Sequence, residues 1–247
     1  MGKERLDIVV QRQAGVSRTQ AQGLIRAGQV LDDHGQRLDK PGLRVPEDAH
    51  LDIREGPPFV SRGGEKLEAA LDAFQLDVTG LTAIDIGAST GGFTDCLLQR
   101  GAAHVYAVDV GYGQLAWQLR QDSRVTVLER TNIRHLDSSA ISDVPTFFTV
   151  DCSFIGLHLV LPKVKEVVVP QSEGVVLIKP QFEAGKESVE RGGVVRDPAV
   201  HERVVEKVLD AARVLGFSPG RVIPSPLLGP AGNREFLAHL RLGRQAD

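Results

Sequence analysis

The chain has 247 residues, 42% of them hydrophobic and 25% charged, with a net charge of −3. This is the composition of a soluble globular protein, and no apolar run comes near the roughly 20 residues of a membrane-spanning helix. The negative balance argues against indiscriminate nucleic-acid binding, but it leaves room for a local basic patch. Cys96 and Cys152 lack metal-ligand spacing, which speaks against a disulfide framework or a metal site. The opening Met1-Gly2-Lys3-Glu4-Arg5 has no apolar signal-peptide core, so a cytoplasmic location is expected.

In chain order, Leu6, Val9 and Val10 recur at helical spacing, and so do Ala21, Leu24 and Ile25. Ser17 is the expected N-cap of the second helix and Gly28 its stop. Val30-Leu31-Asp32-Asp33-His34-Gly35 reads as a strand entering a turn, and Leu51-Asp52-Ile53 as another short strand. Lys3, Arg5, Arg12, Arg18 and Arg26 are expected on the two helices as a basic face. Glu55-Gly56-Pro57-Pro58 is a proline-stiffened break. The division expected is a small α+β domain over 1–54, a linker over 55–60 and a larger domain over 61–247.

After the linker, strand and helix alternate. Strands are expected at Thr82–Ile86, Val105–Val108, Val125–Leu128, Phe147–Val150, Val175–Ile178 and Glu235–Leu240. Helices are expected at Gly92–Arg100 and from Asp197-Pro198 to Gly216. The fold class is therefore α/β, a mostly parallel sheet with helices on both faces.

Two features carry chemistry. The loop Asp85-Ile86-Gly87-Ala88-Ser89-Thr90-Gly91-Gly92-Phe93 joins a strand to a helix. Glycines there let a ligand approach the backbone, and the helix start offers free amides. Its spacing departs from the dinucleotide G-x-G-x-x-G pattern. Asp109 ends the next strand, where a carboxylate can accept both hydroxyls of a ribose. Asp85 is the candidate for the amino-acid end of the same ligand, directly or through water. The second feature is four ionisable residues at element ends: Lys66, Asp151, Lys179 and Glu235.

Two resemblances sharpen this. Arg5-Leu6-Asp7, Ser17-Arg18-Thr19-Gln20-Ala21, Leu24-Ile25-Arg26-Ala27-Gly28 and Val30 resemble the S4 RNA-binding domain. That implies RNA contact by Arg5, Arg18, Arg26 and Lys40. The loop from Asp85 to Thr94, with Ser61-Arg62-Gly63-Gly64-Glu65-Lys66, Asp151-Cys152-Ser153-Phe154, Lys179-Pro180-Gln181-Phe182 and Asn233-Arg234-Glu235, resembles the TlyA family. That family joins an S4 module to an FtsJ-like ribose methyltransferase. The resemblance implies a Rossmann-like, seven-stranded domain that takes S-adenosylmethionine. It implies 2′-O-methylation of cytidine in ribosomal RNA, 16S, 23S or both. Lys66, Asp151, Lys179 and Glu235 match its catalytic tetrad, with Lys179 placed at the 2′-oxygen as base or as electrostatic stabiliser. Neither a metal nor a membrane is expected. Competing readings are a non-catalytic ribosome assembly factor and, from a label borne by relatives, a pore-forming haemolysin. The latter needs an inserting segment that the sequence does not present. Amino-group methylation of bases is disfavoured by the missing Asn/Asp-Pro-Pro-Tyr/Phe motif.

Overall fold

The computed structural model describes residues 2–26, 28–53, 57–190 and 192–243. It divides into two compact units, Met1–Pro58 and Phe59–Asp247. Within the expected linker, Glu55 and Gly56 lie outside the described residues. Phe59 and Val60 belong to the larger unit, which corrects their assignment to a linker. Phe59 is buried, and the Val60 amide donates to Asp95 Oδ2 at 2.8 Å.

The small unit begins with strand β1 (Lys3–Arg5), followed by helices α1 (Leu6–Ala14) and α2 (Arg18–Arg26). Lys3 and Arg5 therefore stand on a strand, not on a helix as the spacing suggested. α2 opens with a reciprocal cap: Gln20 N donates to Ser17 Oγ, and Ser17 N donates to Gln20 Oε1. Strands β2 (Val30–Leu31), β3 (Arg44–Pro46) and β4 (Asp52–Ile53) complete the unit. β1 pairs antiparallel with β3, and β2 with β4. Leu6, Val9 and Val10 of α1 and Ala21 and Ile25 of α2 meet Val30 and Val45 in one buried cluster.

The larger unit runs α3 (Gly63–Phe74), β5 (Thr82–Ile86), α4 (Gly92–Gln99), β6 (His104–Val108), α5 (Trp117–Arg120), β7 (Val125–Leu128) and β8 (Phe147–Val150). It continues α6 (Leu157–Val167), β9 (Glu173–Ile178), α7 (Pro180–Glu183), α8 (Pro198–Val214), β10 (Phe217–Pro224) and β11 (Phe236–Leu242). Seven strands form one sheet in the order β10-β11-β9-β8-β5-β6-β7. β5 to β9 are parallel, and β11 runs antiparallel between β9 and β10. The expected mostly parallel, seven-stranded α/β fold is what forms.

Alternation along the strands feeds two cores. Ile84, Ile86, Phe148, Val150, Val176 and Ile178 pack on α6 and α8. Ala83, Val105, Phe147, Val175 and Leu177 pack on α3 and α4. The strand order leaves β5 toward β6 on one side and returns to β8 on the other. That reversal opens a crevice beyond the carboxyl ends of β5 and β8, where ligands bind in open α/β sheets.

Candidate active site

Gly87 follows β5 at this crevice with φ +85. A Cβ there would stand 2.5 Å from the Asp151 carbonyl oxygen, so only glycine lets the two strand ends come this close. Gly92 begins α4, and a Cβ on it would lie 2.8 Å from Gly64 N and against Ser61 Oγ. The starts of α3 and α4 are thereby packed side by side.

Asp109, at the end of β6, accepts from Ser89 N at 2.8 Å through Oδ2 and from Gly111 N at 2.6 Å through Oδ1. Each oxygen keeps a lone pair for a ribose hydroxyl. Asp85 lies deeper than Asp109. It is fully buried and lines neither cavity described below. Its oxygens accept from Thr94 Oγ1 at 2.7 Å and Thr149 Oγ1 at 2.8 Å. Its contacts tie β5 to β8 and α4 behind the loop. Burial raises its pKa from 3.8 to about 6, with the two threonines pulling it back down and the Asp151 charge adding to the rise.

A raised carboxyl pKa means that the folded chain keeps a proton which the unfolded chain releases. Stability from this group is full below about pH 4 and is lost as pH rises through about 6. Asp85→Asn removes that loss. Its stability relative to wild type is expected to grow by up to roughly 3 kcal/mol between pH 4 and pH 7. Denaturant titrations at both pH values check this, and parallel behaviour of the two proteins would contradict it.

Two cavities meet at Gly87, Ser89, Asp151, Ser153 and Phe154. One, about 410 Å³, has apolar walls from Ile86, Val108, Val110, Ile133 and Ile155 and polar groups from Asp109, Thr131 and Asn132. Apolar walls with a carboxylate among them suit a nucleoside, so the residues present fit S-adenosylmethionine. The other cavity, about 670 Å³, is lined by Ala88, Ser89, Thr90, Gly92 and Phe93 of the loop and by Lys66, Asp151, Lys179 and Glu235. Gly91 lines neither.

Those four residues come from four separate places. Asp151 follows β8 and Lys179 follows β9. Phe236 of β11 pairs with Ile178 of β9, which sets Glu235 level with Lys179. Lys66 lies in the first turns of α3. They form two ion pairs. Lys66 Nζ meets Glu235 Oε2 at 2.6 Å, with Glu235 fully buried. Lys179 Nζ meets Asp151 Oδ1 at 2.6 Å and donates to Ser153 Oγ at 2.8 Å. Gln181 Nε2 lies 3.5 Å from Glu235 Oε1.

Sequence reasoning gave no role to several further lining residues. Phe154 is 89% exposed, holds a left-handed φ of +64, and packs its ring on Phe182 with centroids 4.9 Å apart. An exposed aromatic side chain held in a strained backbone at a cavity mouth is the signal that could have marked it. Ser153 and Gln181 become visible only once the ion pairs are located.

In the small unit, Arg5 and Arg18 both engage the buried Asp7, at 2.9 and 3.1 Å. Arg26 and Lys40 are exposed. Arg44, not among the expected residues, faces Arg5 across the β1–β3 pair.

The family model described as FtsJ-like methyltransferase matches residues 59–242. The 16S/23S rRNA (cytidine-2′-O)-methyltransferase TlyA of Mycobacterium tuberculosis is 48% identical over 235 residues, covering 94% of this chain and 87% of that protein. A solved structure from Streptococcus thermophilus that carries a hemolysin label is 45% identical with a TM-score of 0.75, covering 98% of this chain and 90% of that one. In fold alone, the chain is also similar to an S-adenosylmethionine dependent methyltransferase from Mesorhizobium loti. That likeness has a TM-score of 0.51 at 16% identity over 70% of this chain and 96% of that one.

Proposed function

Because the chain belongs to the FtsJ-like methyltransferase family, we propose that it uses S-adenosylmethionine to methylate a cytidine ribose 2′-hydroxyl in ribosomal RNA. The observation that carries this reading is the meeting of Lys66, Asp151, Lys179 and Glu235 in one cavity that adjoins the apolar-walled one at Gly87. The relative from Mycobacterium tuberculosis, whose name gives that reaction on both ribosomal subunits' RNA, supports the substrate class.

S-adenosylmethionine, when bound, supplies a methyl group on a sulfonium positioned for in-line displacement. Asp109 and the apolar walls of the smaller cavity would hold its nucleoside, and Gly87 lines both cavities where they meet. Much of the acceleration then comes from holding the acceptor oxygen in line. Lys179 is the group placed to meet that oxygen. Its ammonium, held by Asp151 and Ser153, stabilises charge developing on the 2′-oxygen. The proton leaving that oxygen passes toward the Asp151 carboxylate. Lys66 and Glu235 fix the far side of the cavity and hold the nucleotide.

Phe154 offers an exposed ring for the target nucleobase to stack on once the nucleotide leaves its neighbours. Base–aromatic stacking contributes about 1–3 kcal/mol, so Phe154→Ala is expected to raise KM for the RNA roughly 5- to 150-fold. Binding of S-adenosylmethionine should stay within about twofold of wild type. A steady-state titration of RNA beside a cofactor-binding titration separates the two. An unchanged KM would remove Phe154 from the acceptor site.

The small unit supplies affinity for the RNA in this reading. Among the described residues, no helix is long and apolar enough to cross a membrane. Incubation of the purified protein with labelled S-adenosylmethionine and ribosomal subunits from a strain lacking the enzyme tests the function. Label entering RNA supports it. Absence of label with the cofactor bound favours the assembly-factor reading.

A further inference from the structure

Asp7 is the one fully buried acid of the small unit among the described residues. It sits in the first turn of α1, where a carboxylate also favours the helix dipole. Three side chains converge on it. Arg5 grips it with two bonds, Nε to Oδ1 at 3.0 Å and Nη2 to Oδ2 at 2.9 Å. Arg18 Nε reaches Oδ2 at 3.1 Å, and Gln22 Nε2 reaches the same oxygen at 2.9 Å. The Arg5 guanidinium, with Gln22 and Arg18 beside it, holds the Asp7 carboxyl well below the ordinary carboxylate range in spite of its burial.

The carboxylate is hidden, yet its arginines are not. The Arg5 and Arg18 side chains are 40% and 52% exposed. Arg18 spends only Nε on Asp7, so both of its amino groups remain for a second acceptor. Arg5 keeps Nη1. Arg44 stands directly opposite Arg5 across the β1–β3 pair, and like charges in that position repel. Two guanidiniums thus share one buried carboxylate, and a third, Arg44, stands beside Arg5 with its Nη1 on the Lys3 carbonyl. The arrangement is short of negative charge on its exposed side, and a phosphate there would relieve the repulsion.

We infer that Asp7 is a positioning residue for RNA: from the core of the small unit it holds the Arg5 and Arg18 guanidiniums as a preset pair for backbone phosphate. A guanidinium fixed in advance loses less rotamer freedom when it binds, and its planar fork meets phosphate oxygens in a defined geometry. Gln22 completes the set by fixing the same oxygen that Arg18 uses. This inference rests on the proposed RNA substrate, and it concerns how the small unit grips RNA, not the methyl transfer itself.

The inference predicts an effect opposite in sign to bulk electrostatics. Asp7→Asn removes a negative charge from a phosphate-binding face. Counterion release alone predicts equal or tighter binding with an equal or steeper salt dependence. Positioning predicts weaker binding, because an amide turns its own N–H toward the arginines and releases them. The expected result is about tenfold weaker binding of the full chain to isolated ribosomal subunits. The slope of log affinity against log salt should be shallower by about 1 to 2, the loss of one or two phosphate contacts. Loss of a merely structural residue would not change that slope in molecules that remain folded.

Hydrogen exchange of the α1 and α2 amides reports whether the small unit holds together. Should Asp7→Asn unfold it, Arg18→Lys carries the test, since it keeps the charge and loses the fork. About fivefold weaker binding is expected. Equal or tighter binding by a folded Asp7→Asn protein, or unchanged affinity and slope for Arg18→Lys, would overturn the inference. A wild-type chain that binds no subunit would overturn the RNA reading beneath it, and the inference with it. Wild-type binding with unaffected variants overturns the positioning role alone.

Discussion

Lys179→Ala is expected to lower methyl transfer by on the order of 10²- to 10³-fold or more, the usual cost of removing one preset charge-stabilising donor. The protein should stay folded and keep its cofactor. Lys179 follows the carboxyl end of β9 and is itself buried, but its partner Asp151 retains 23% side-chain exposure. Without the ammonium, Asp151 can turn to water. The change in thermal midpoint should therefore be small, while single-turnover rates collapse at saturating RNA and S-adenosylmethionine. A variant that keeps more than a tenth of wild-type turnover would remove Lys179 from the acceptor oxygen.

Lys66→Ala is expected to do something different, because its partner is different. Glu235 has no solvent exposure, and Lys66 Nζ at 2.6 Å is its one ionic partner among the described residues. Gln181, at 3.5 Å, is too distant to compensate. Breaking a buried pair from one side leaves a buried charge and costs roughly 3–5 kcal/mol. Lys66→Ala should therefore lose both activity and stability, where Lys179→Ala loses activity alone. Pairing it with Glu235→Gln should recover part of the stability and none of the activity. Thermal unfolding of the single and double variants checks this. Equal stability of Lys66→Ala and wild type would mean that Glu235 has another support.

Much of this architecture could be read from local pattern. Thr82–Ile86 is a run of small and β-branched residues closed by glycine, and its boundaries are those of β5. Asp197-Pro198 opens α8 as expected, with the Asp197 side chain accepting from Ala199 N at 2.8 Å. β10 was out of reach for a physical reason. Phe217-Ser218-Pro219-Gly220-Arg221-Val222-Ile223-Pro224 carries two prolines and a glycine, which read as loop. It forms an edge strand, where missing donors are tolerated, and its register slips between Pro219 and Val222. α6 was hidden likewise by Pro162 within its span.

The site divides along the same line. Asp109, Asp151 and Lys179 each follow directly on an apolar strand, and that position could be read from the sequence. For Asp85, the strand-end position says nothing of the two threonine hydroxyls that hold its carboxylate. Asp7 was invisible because its meaning lies in Arg5, Arg18 and Gln22, which reach it only after α1 and α2 pack. The ion pairs themselves are long-range facts. Lys66 and Glu235 are 169 residues apart, and nothing local links them.

In the proposed reaction, Lys179 delivers methyl transfer to one ribose 2′-oxygen. The most direct measurement is to label ribosomal subunits with methyl-tritiated S-adenosylmethionine, using wild type and Lys179→Ala, and then to hydrolyse the RNA in alkali. A methylated 2′-oxygen cannot attack its phosphate, so the label should remain in an alkali-resistant dinucleotide with cytidine on its 5′ side. Lys179→Ala should give none, although it still binds the cofactor. Label recovered in ordinary mononucleotides would place the methyl group on a base and contradict the account.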